Sequence, residues 1–173
     1  MTFVPYIRNE KIQERIKELG KVITEEHRGR RPLFLVVLNG AFPFASDLFR
    51  AVDTDAEITF VRLKSYEGTA TTGNVRQLMG LGEDLKDRDV IVVEDIVDTG
   101  HTIERLLGDL RKLEPASLKV ATLLFKPESL QCDVTPDYVG FSISPKFIIG
   151  FGLDLDGLAR NLPDIYVLKE TVD

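Results

Sequence analysis

Cysteine is all but missing from this 173-residue chain. The one thiol, Cys132, has no partner for an internal disulfide and cannot build a cysteine-ligated zinc site, so a reducing compartment is expected. Long hydrophobic runs are missing too. No stretch approaches the length of a bilayer span, which excludes a membrane-spanning helix. The opening "MTFVPYIRNE" lacks the apolar segment of a secretion signal, and the expected location is cytoplasmic. Positive charge is in deficit: 22 Lys and Arg against 28 Asp and Glu leave a net charge of −6. A duplex nucleic-acid binder needs a basic face, so nucleic acid is excluded as a partner. Phosphate ligands are not excluded, because backbone N–H groups and a metal ion bind them without net positive charge. Repeats, low-complexity tracts and linkers are also absent, so residues 1–173 are expected to form a single domain.

What is present is a soluble composition, 43% apolar and 29% charged, on a chain long enough for a full core. Asn9 is a candidate helix cap, ahead of Ile12, Ile16, Leu19 and Ile23 at helical spacing. "PLFLVVL" (32–38) and "DVIVVED" (89–95) are continuous apolar runs, as in strands buried on both faces. "AFPFASDLFRAV" (41–52) puts Phe42, Ala45, Leu48 and Val52 on one helical face. "AEITFVRLK" (56–64) alternates imperfectly through Ile58, Phe60 and Leu63 and reads as a strand. "TIERLLGDLRKL" (102–113) carries a stripe of Ile103, Leu106, Leu107, Leu110 and Leu113, with Pro115 as its stop. Further strands are expected at 117–125, 138–143, 146–151 and 164–170. The alternation implies an α/β fold, a parallel sheet with helices on both faces, and a smaller cap from the irregular last third. In such folds ligands sit beyond the carboxyl ends of the strands. Four polar clusters fall there: Asn39-Gly40, Lys64-Ser65-Tyr66, Glu94 to Thr102, and Lys126.

The densest of these is "VIVVEDIVDTGHTI" (90–103). Asp98-Thr99-Gly100-His101-Thr102 lies between a buried strand and an amphipathic helix. A turn in that position aims backbone N–H groups at one point, where the helix dipole adds partial positive charge. The Thr99 and Thr102 hydroxyls can donate to the same anion, and Gly100 allows close approach. The turn therefore suits a phosphate monoester. Glu94 and Asp95, just ahead of it, can accept from two vicinal hydroxyls or bind Mg²⁺ through water. Phosphate, diol and metal side by side describe a phosphorylated ribose. A Walker-B strand is the nearest alternative, but no G-x-x-x-x-G-K-[ST] loop accompanies it. Taken alone, a Glu-Asp pair is most often a solvated strand end.

The same stretch resembles the phosphoribosyl-pyrophosphate (PRPP) motif of the type I phosphoribosyltransferases: four apolar residues, two acids, two apolar residues, then acid-Thr-Gly-x-Thr. Most of the chain from 33 to 168 is similar to the hypoxanthine-guanine branch of that family. "VVLNGAFPFASDL" resembles its pyrophosphate loop, "FVRLKSYEGT" the start of its mobile loop, and "LLFKPE" its purine-reading segment. "PDYVGFSISPKFIIGFGLD" and "LARNLP" resemble its C-terminal purine and metal segment. The implied fold is a parallel-sheet core with a small hood, built mainly from about 127–173 and the N-terminal segment. The implied reaction moves 5-phosphoribosyl from PRPP to N9 of a 6-oxopurine, with Mg²⁺ as cofactor and a homo-oligomer, dimer or tetramer, as the assembly.

Residue by residue, the resemblance implies a PRPP site at Glu94, Asp95, Asp98, Thr99, Gly100, His101 and Thr102, with Asp98 as general acid–base. It implies pyrophosphate contacts at Asn39, Gly40 and Arg160, and a closing loop opened by Ser65 and Tyr66. The purine falls to Lys126, Phe147, Ile148 and Asp154, and the metal to Glu94, Asp95 and Asp154. A non-proline cis peptide at Leu38–Asn39 is implied in at least some states. Asn39 and His101 depart from relatives that carry Lys at both positions, and His101 is not implied to be catalytic. The segment 65–82, rich in Gly and Thr, is expected to be a mobile lid. Taken singly, these residues have plainer readings: Lys126 as a solvated strand end, Phe147 as core, Asp154 as turn chemistry. Two competing functions remain at this level, a guanine- or xanthine-preferring relative and a non-catalytic PRPP-binding regulator. The regulator would have no use for an acid–base at 98 or a lysine aimed at O6.

Overall fold

The computed structural model describes residues 1–64, 76–77 and 81–170. Its main sheet is assembled from strands that the apolar runs anticipate: β2 (Leu33–Leu38), β3 (Glu57–Lys64), β5 (Asp89–Val97), β6 (Ser117–Phe125) and β7 (Tyr138–Ser142). With the short β4 (Arg76–Gln77), the order is β4-β3-β2-β5-β6-β7. All pairings are parallel except β3 with β4. Alternate residues feed two cores. Phe34, Val36, Ile91, Val93, Ala121 and Leu123 meet helices α1 (Asn9–His27) and α2 (Phe42–Arg50) on one face. Leu33, Leu35, Val37, Val61, Val90, Val92 and Val120 meet helix α3 (His101–Arg111) on the other. Both faces are thus covered, as the continuous apolar strands require.

A second sheet of three short strands, β1 (Phe3–Ile7), β8 (Ile148–Ile149) and β9 (Ile165–Leu168), has the order β1-β9-β8 and is antiparallel. It joins the first residues of the chain to the last ones described. β1 has no clear sequence signature because Pro5 interrupts it, and it is tolerated because β1 is an edge strand with a register shift between Pro5 and Ile7.

Several expectations shift. Asn9 is the first helical residue, not the cap. Its backbone N–H donates to the Asp164 carboxylate at 2.7 Å, so the helix start is satisfied by a group 155 residues away. On α2, Phe44 takes the buried position and Phe42 is 51% exposed. Val61, not Phe60, is the buried residue in the second half of β3; Phe60 lines an open groove with Phe42, Ala45 and Phe49 of α2 and stays partly exposed. Leu113 lies beyond the end of α3 and is 43% exposed. Within "KFIIGF" only Ile148 and Ile149 form a strand, and Gly150 makes an isolated bridge to Leu153, because Gly150 and Phe151 turn at positive φ. Ile12, Ile16, Leu19 and Ile23 are all buried, as their spacing predicts.

Candidate functional site

The carboxyl ends of β2, β5 and β6 open on one end of the sheet, and three of the polar clusters, Asn39-Gly40, Glu94 to Thr102 and Lys126, follow them there. After β5, Asp98 and Thr99 lead into Gly100 at φ 90°, where α3 begins. A side chain at Gly100 would collide with the Cys132 sulfur and the Leu130 side chain, so the position has both a conformational and a steric reason to be glycine. Glu94, Val97, Asp98, Thr99, Gly100, Thr102 and neighbouring apolar atoms line a cavity of about 210 Å³ at this turn. The start of α3 and two threonine hydroxyls border it, with the His101 N–H 3.5 Å from the Thr99 hydroxyl, and these are the features an anion needs.

Glu94 and Asp95 are neighbours in a strand, and their side chains start toward opposite faces. Glu94 is 7% exposed and lines the turn cavity. Burial holds its carboxyl well above the usual carboxylate range, and the adjacent Asp95 charge adds to the shift. Asp95 is raised as well, again mainly by burial. It is partly relieved by the Ile96 N–H that it accepts at 2.8 Å and by the Arg160 guanidinium. Both carboxylates are held in a way that favours a cation or hydroxyl donors beside them.

Asp95 faces the loop after β2. The Leu38–Asn39 peptide is cis, as expected, and Gly40 follows it. A Cβ on Gly40 would overlap the Asp95 carboxylate and crowd Arg160. Gly152, at φ 101°, likewise has no room for a side chain over the Gly40 carbonyl. The Arg160 guanidinium donates to the Gly152 carbonyl at 2.7 Å and lies 3.6 Å from Asp154. Asp154 also accepts from the Gly157 N–H at 2.8 Å, so it has a turn role besides facing the site. Asn39, Gly40, Asp95, Asp154 and Arg160 therefore form one cluster on the far side of Asp95 from the turn.

Lys126 leaves β6 beside the turn. Its backbone N–H donates to the Val97 carbonyl at 3.0 Å, and its ammonium lies 3.4 Å from the Asp98 carboxylate. A nearly buried lysine thus meets a half-exposed aspartate at the mouth of the cavity, one donor and one proton-accepting group side by side. Phe147 is 48% exposed, and its ring packs at 48° against Phe3 of β1, with centroids 6.1 Å apart. Ile148 is buried in β8.

Among the described residues no group of three or more His, Cys, Asp or Glu side chains converges tightly enough to hold a metal, so Glu94, Asp95 and Asp154 do not form a cage. Ser65 and Tyr66 lie outside the described residues, as does the expected lid apart from residues 76–77 and 81–82. Sequence reasoning missed Gly152, Phe3, Leu130 and Cys132, all brought to the site by contacts between distant segments. Only the Gly-x-Gly spacing at 150–152 hinted at one of them.

Residues 6–156 match the phosphoribosyl transferase domain family. The chain is 41% identical over 167 residues to the hypoxanthine-guanine phosphoribosyltransferase of Lactococcus lactis, covering 96% of this chain and 91% of that protein. It superposes on the crystal structure of a hypoxanthine phosphoribosyltransferase from Staphylococcus aureus with a TM-score of 0.91 at 36% identity, over 96% of this chain and 91% of that one. A hypoxanthine-guanine phosphoribosyltransferase from Bacillus anthracis, solved with HEPES in its active site, gives 0.90 at 40% identity, over 96% and 98%.

Proposed function

This chain belongs to the phosphoribosyltransferase family, among its hypoxanthine-guanine members, and we propose that it transfers the 5-phosphoribosyl group of PRPP to N9 of hypoxanthine or guanine, releasing pyrophosphate in purine salvage. The observation that carries the purine class is the Lys126–Asp98 pair at the mouth of the turn cavity. O6 and N7 are neighbours on one edge of a 6-oxopurine. Lys126 donates to O6 while Asp98 exchanges the proton at N7. A 6-aminopurine would set a second donor against Lys126 and leave both unpaired, so adenine is rejected.

The turn from Asp98 to Thr102 takes the 5′-phosphate on the N–H groups of α3 and the Thr99 and Thr102 hydroxyls. Glu94 and Asp95 accept from the ribose hydroxyls. Asn39, Gly40 and Arg160 take the pyrophosphate, with backbone N–H groups standing in for the lysine that some relatives have at position 39. Phe147 stacks on the purine from the smaller sheet, which acts as a hood, and the Ile148 backbone reads the ring edge. As the C1′–O bond to pyrophosphate breaks, positive charge builds on the sugar, and the carboxylates around it oppose that charge with their own. N9 attacks C1′, and Asp98 takes the N7 proton.

The donor set fits Mg²⁺, which keeps several waters and uses one or two carboxylates with substrate phosphates in place of an all-protein cage. Asp95 and Asp154, close enough for the Asp154 charge to raise Asp95, are such a pair. Bound to pyrophosphate, Mg²⁺ neutralises charge on the departing oxygens. A cytoplasmic location and a homo-oligomer belong to the same reading; among the described residues no helix is long and apolar enough to cross a membrane.

Pyrophosphate release from PRPP and Mg²⁺ with hypoxanthine, guanine, xanthine or adenine tests the reading. Turnover with hypoxanthine or guanine and none with adenine is expected. Equal release with adenine, or none with any purine, would overturn it.

A further inference from the structure

The segment that begins at Lys126 does not leave the site. It makes one tight turn at Pro127–Ser129 and returns beneath the phosphate turn. The Gln131 N–H donates to the Thr99 carbonyl at 2.9 Å, and the Cys132 thiol reaches the same carbonyl at 3.6 Å. Leu130 and Cys132 fill the space that a side chain on Gly100 would need. A hydrogen bond from side chain to side chain closes the ring. His101 Nε2 lies 2.9 Å from the Gln131 Oε1, so the imidazole donates through Nε2 to the amide oxygen. His101 opens α3 on the phosphate side, and Gln131 lies five residues beyond Lys126. The other links between the two segments are the Lys126–Asp98 contact, the Cys132 thiol at the Thr99 carbonyl, the apolar filling by Leu130, and backbone bonds. The His101–Gln131 bond adds a direct link between two exposed side chains, one at the start of α3 and one on the segment that follows Lys126.

We propose that His101 and Gln131 form a positioning pair that holds the purine-reading segment in register with the phosphate turn, so that a filled turn presents Lys126 and Asp98 at the spacing the purine edge requires. The proposal rests on the reading of the turn as phosphate site and Lys126 as purine reader. Neither residue touches the reacting atoms. The pair explains why position 101, the variable position of the motif, carries an imidazole here: it is chosen to match residue 131, not the phosphate.

The test is steady-state kinetics with PRPP and hypoxanthine on the wild type, His101→Ala, Gln131→Ala, the double variant and His101→Gln, which keeps a donor. Activity of the wild type checks the functional reading separately. Each Ala variant is expected to raise the purine KM about fivefold, the worth of one hydrogen bond, with kcat and Tm near wild type. The double variant should be no worse than either single, and His101→Gln should restore most of the loss. An unchanged purine KM in both Ala variants, additive losses in the double variant, or no recovery with His101→Gln would overturn the pair while leaving the enzyme reading intact. His101 is exposed, so its variants test the idea even if Gln131→Ala folds poorly.

Discussion

Asp98 and Lys126 lie 3.4 Å apart, and single substitutions separate the opposite jobs proposed for them. Asp98→Asn keeps the shape of the turn but removes the proton acceptor. Its kcat is expected to fall about 10²- to 10⁴-fold with little change in PRPP affinity, and single-turnover rates would expose a near wild-type enzyme. Lys126→Gln can both donate and accept. The hypoxanthine-to-adenine ratio of kcat/KM should fall at least ~10-fold; a preserved ratio would mean that another group reads position 6. Glu94 gives a prediction of the other sign. Its carboxyl is raised by burial, so the folded chain holds the proton more tightly than the unfolded one. Ionising it as pH rises from the ordinary carboxylate range through that raised value costs stability. Glu94→Gln should therefore raise the Tm of the ligand-free protein at pH 7.5, by about 2–4 °C per kcal/mol relieved, while weakening PRPP binding; a lower Tm would contradict the assignment. The residues easiest to find in the sequence are those of the PRPP motif, because a turn that binds phosphate through consecutive N–H groups must be contiguous. Gly152, Phe3 and Gln131 were hidden because their importance lies in which distant atom they meet.

Among elements, the buried strands were the most legible, since a strand covered on both faces has no polar side to confuse the pattern. The edges were not. β7 ends the main sheet, and its outer carbonyls are covered by one side chain of α1: Arg15 donates to Gly140 at 2.9 Å and to Val139 at 2.8 Å, with Glu18 holding the fork. Apolar periodicity marks the buried side of α1 but says nothing about an arginine beside it. Arg15→Ala should lower stability by about 1–3 kcal/mol, read from the urea midpoint, and expose an edge prone to pairing between molecules. Arg15→Lys should recover only part of the loss, because a lysine lacks the planar fork that reaches two carbonyls. A midpoint unchanged in Arg15→Ala would show that water replaces the guanidinium at no cost.

At the scale of the whole molecule, the end of the sheet away from the site has a polar clasp. Glu26 near the end of α1 accepts from the Tyr138 hydroxyl at the start of β7, and Lys119 of β6 lies 3.1 Å from the same carboxylate. The Tyr138 hydrogen bond, followed by Lys119, holds Glu26 below its ordinary value, while burial pushes the Tyr138 hydroxyl up. A depressed carboxylate stabilises the fold above its unfolded pKa, near 4.5, and that contribution is lost as pH falls through the folded value. Glu26→Gln should therefore lower Tm at pH 7, with the gap to wild type closing below pH 4.5; a gap independent of pH would mean that the clasp is steric. The two ends of the chain meet at the opposite pole, where β1 pairs with β9 and Asp164 satisfies the start of α1. Proteins are made from the N-terminus, so the first turn of α1 leaves the ribosome 155 residues before the aspartate that satisfies it, and β1 waits at least as long for β9. At ~5–20 residues per second that is a wait of about 8–30 s. Through that interval the nascent chain has a parallel sheet growing strand by strand and an opening strand with nothing to pair, and the small sheet that carries Phe3 next to Phe147 is complete only once β9 has emerged.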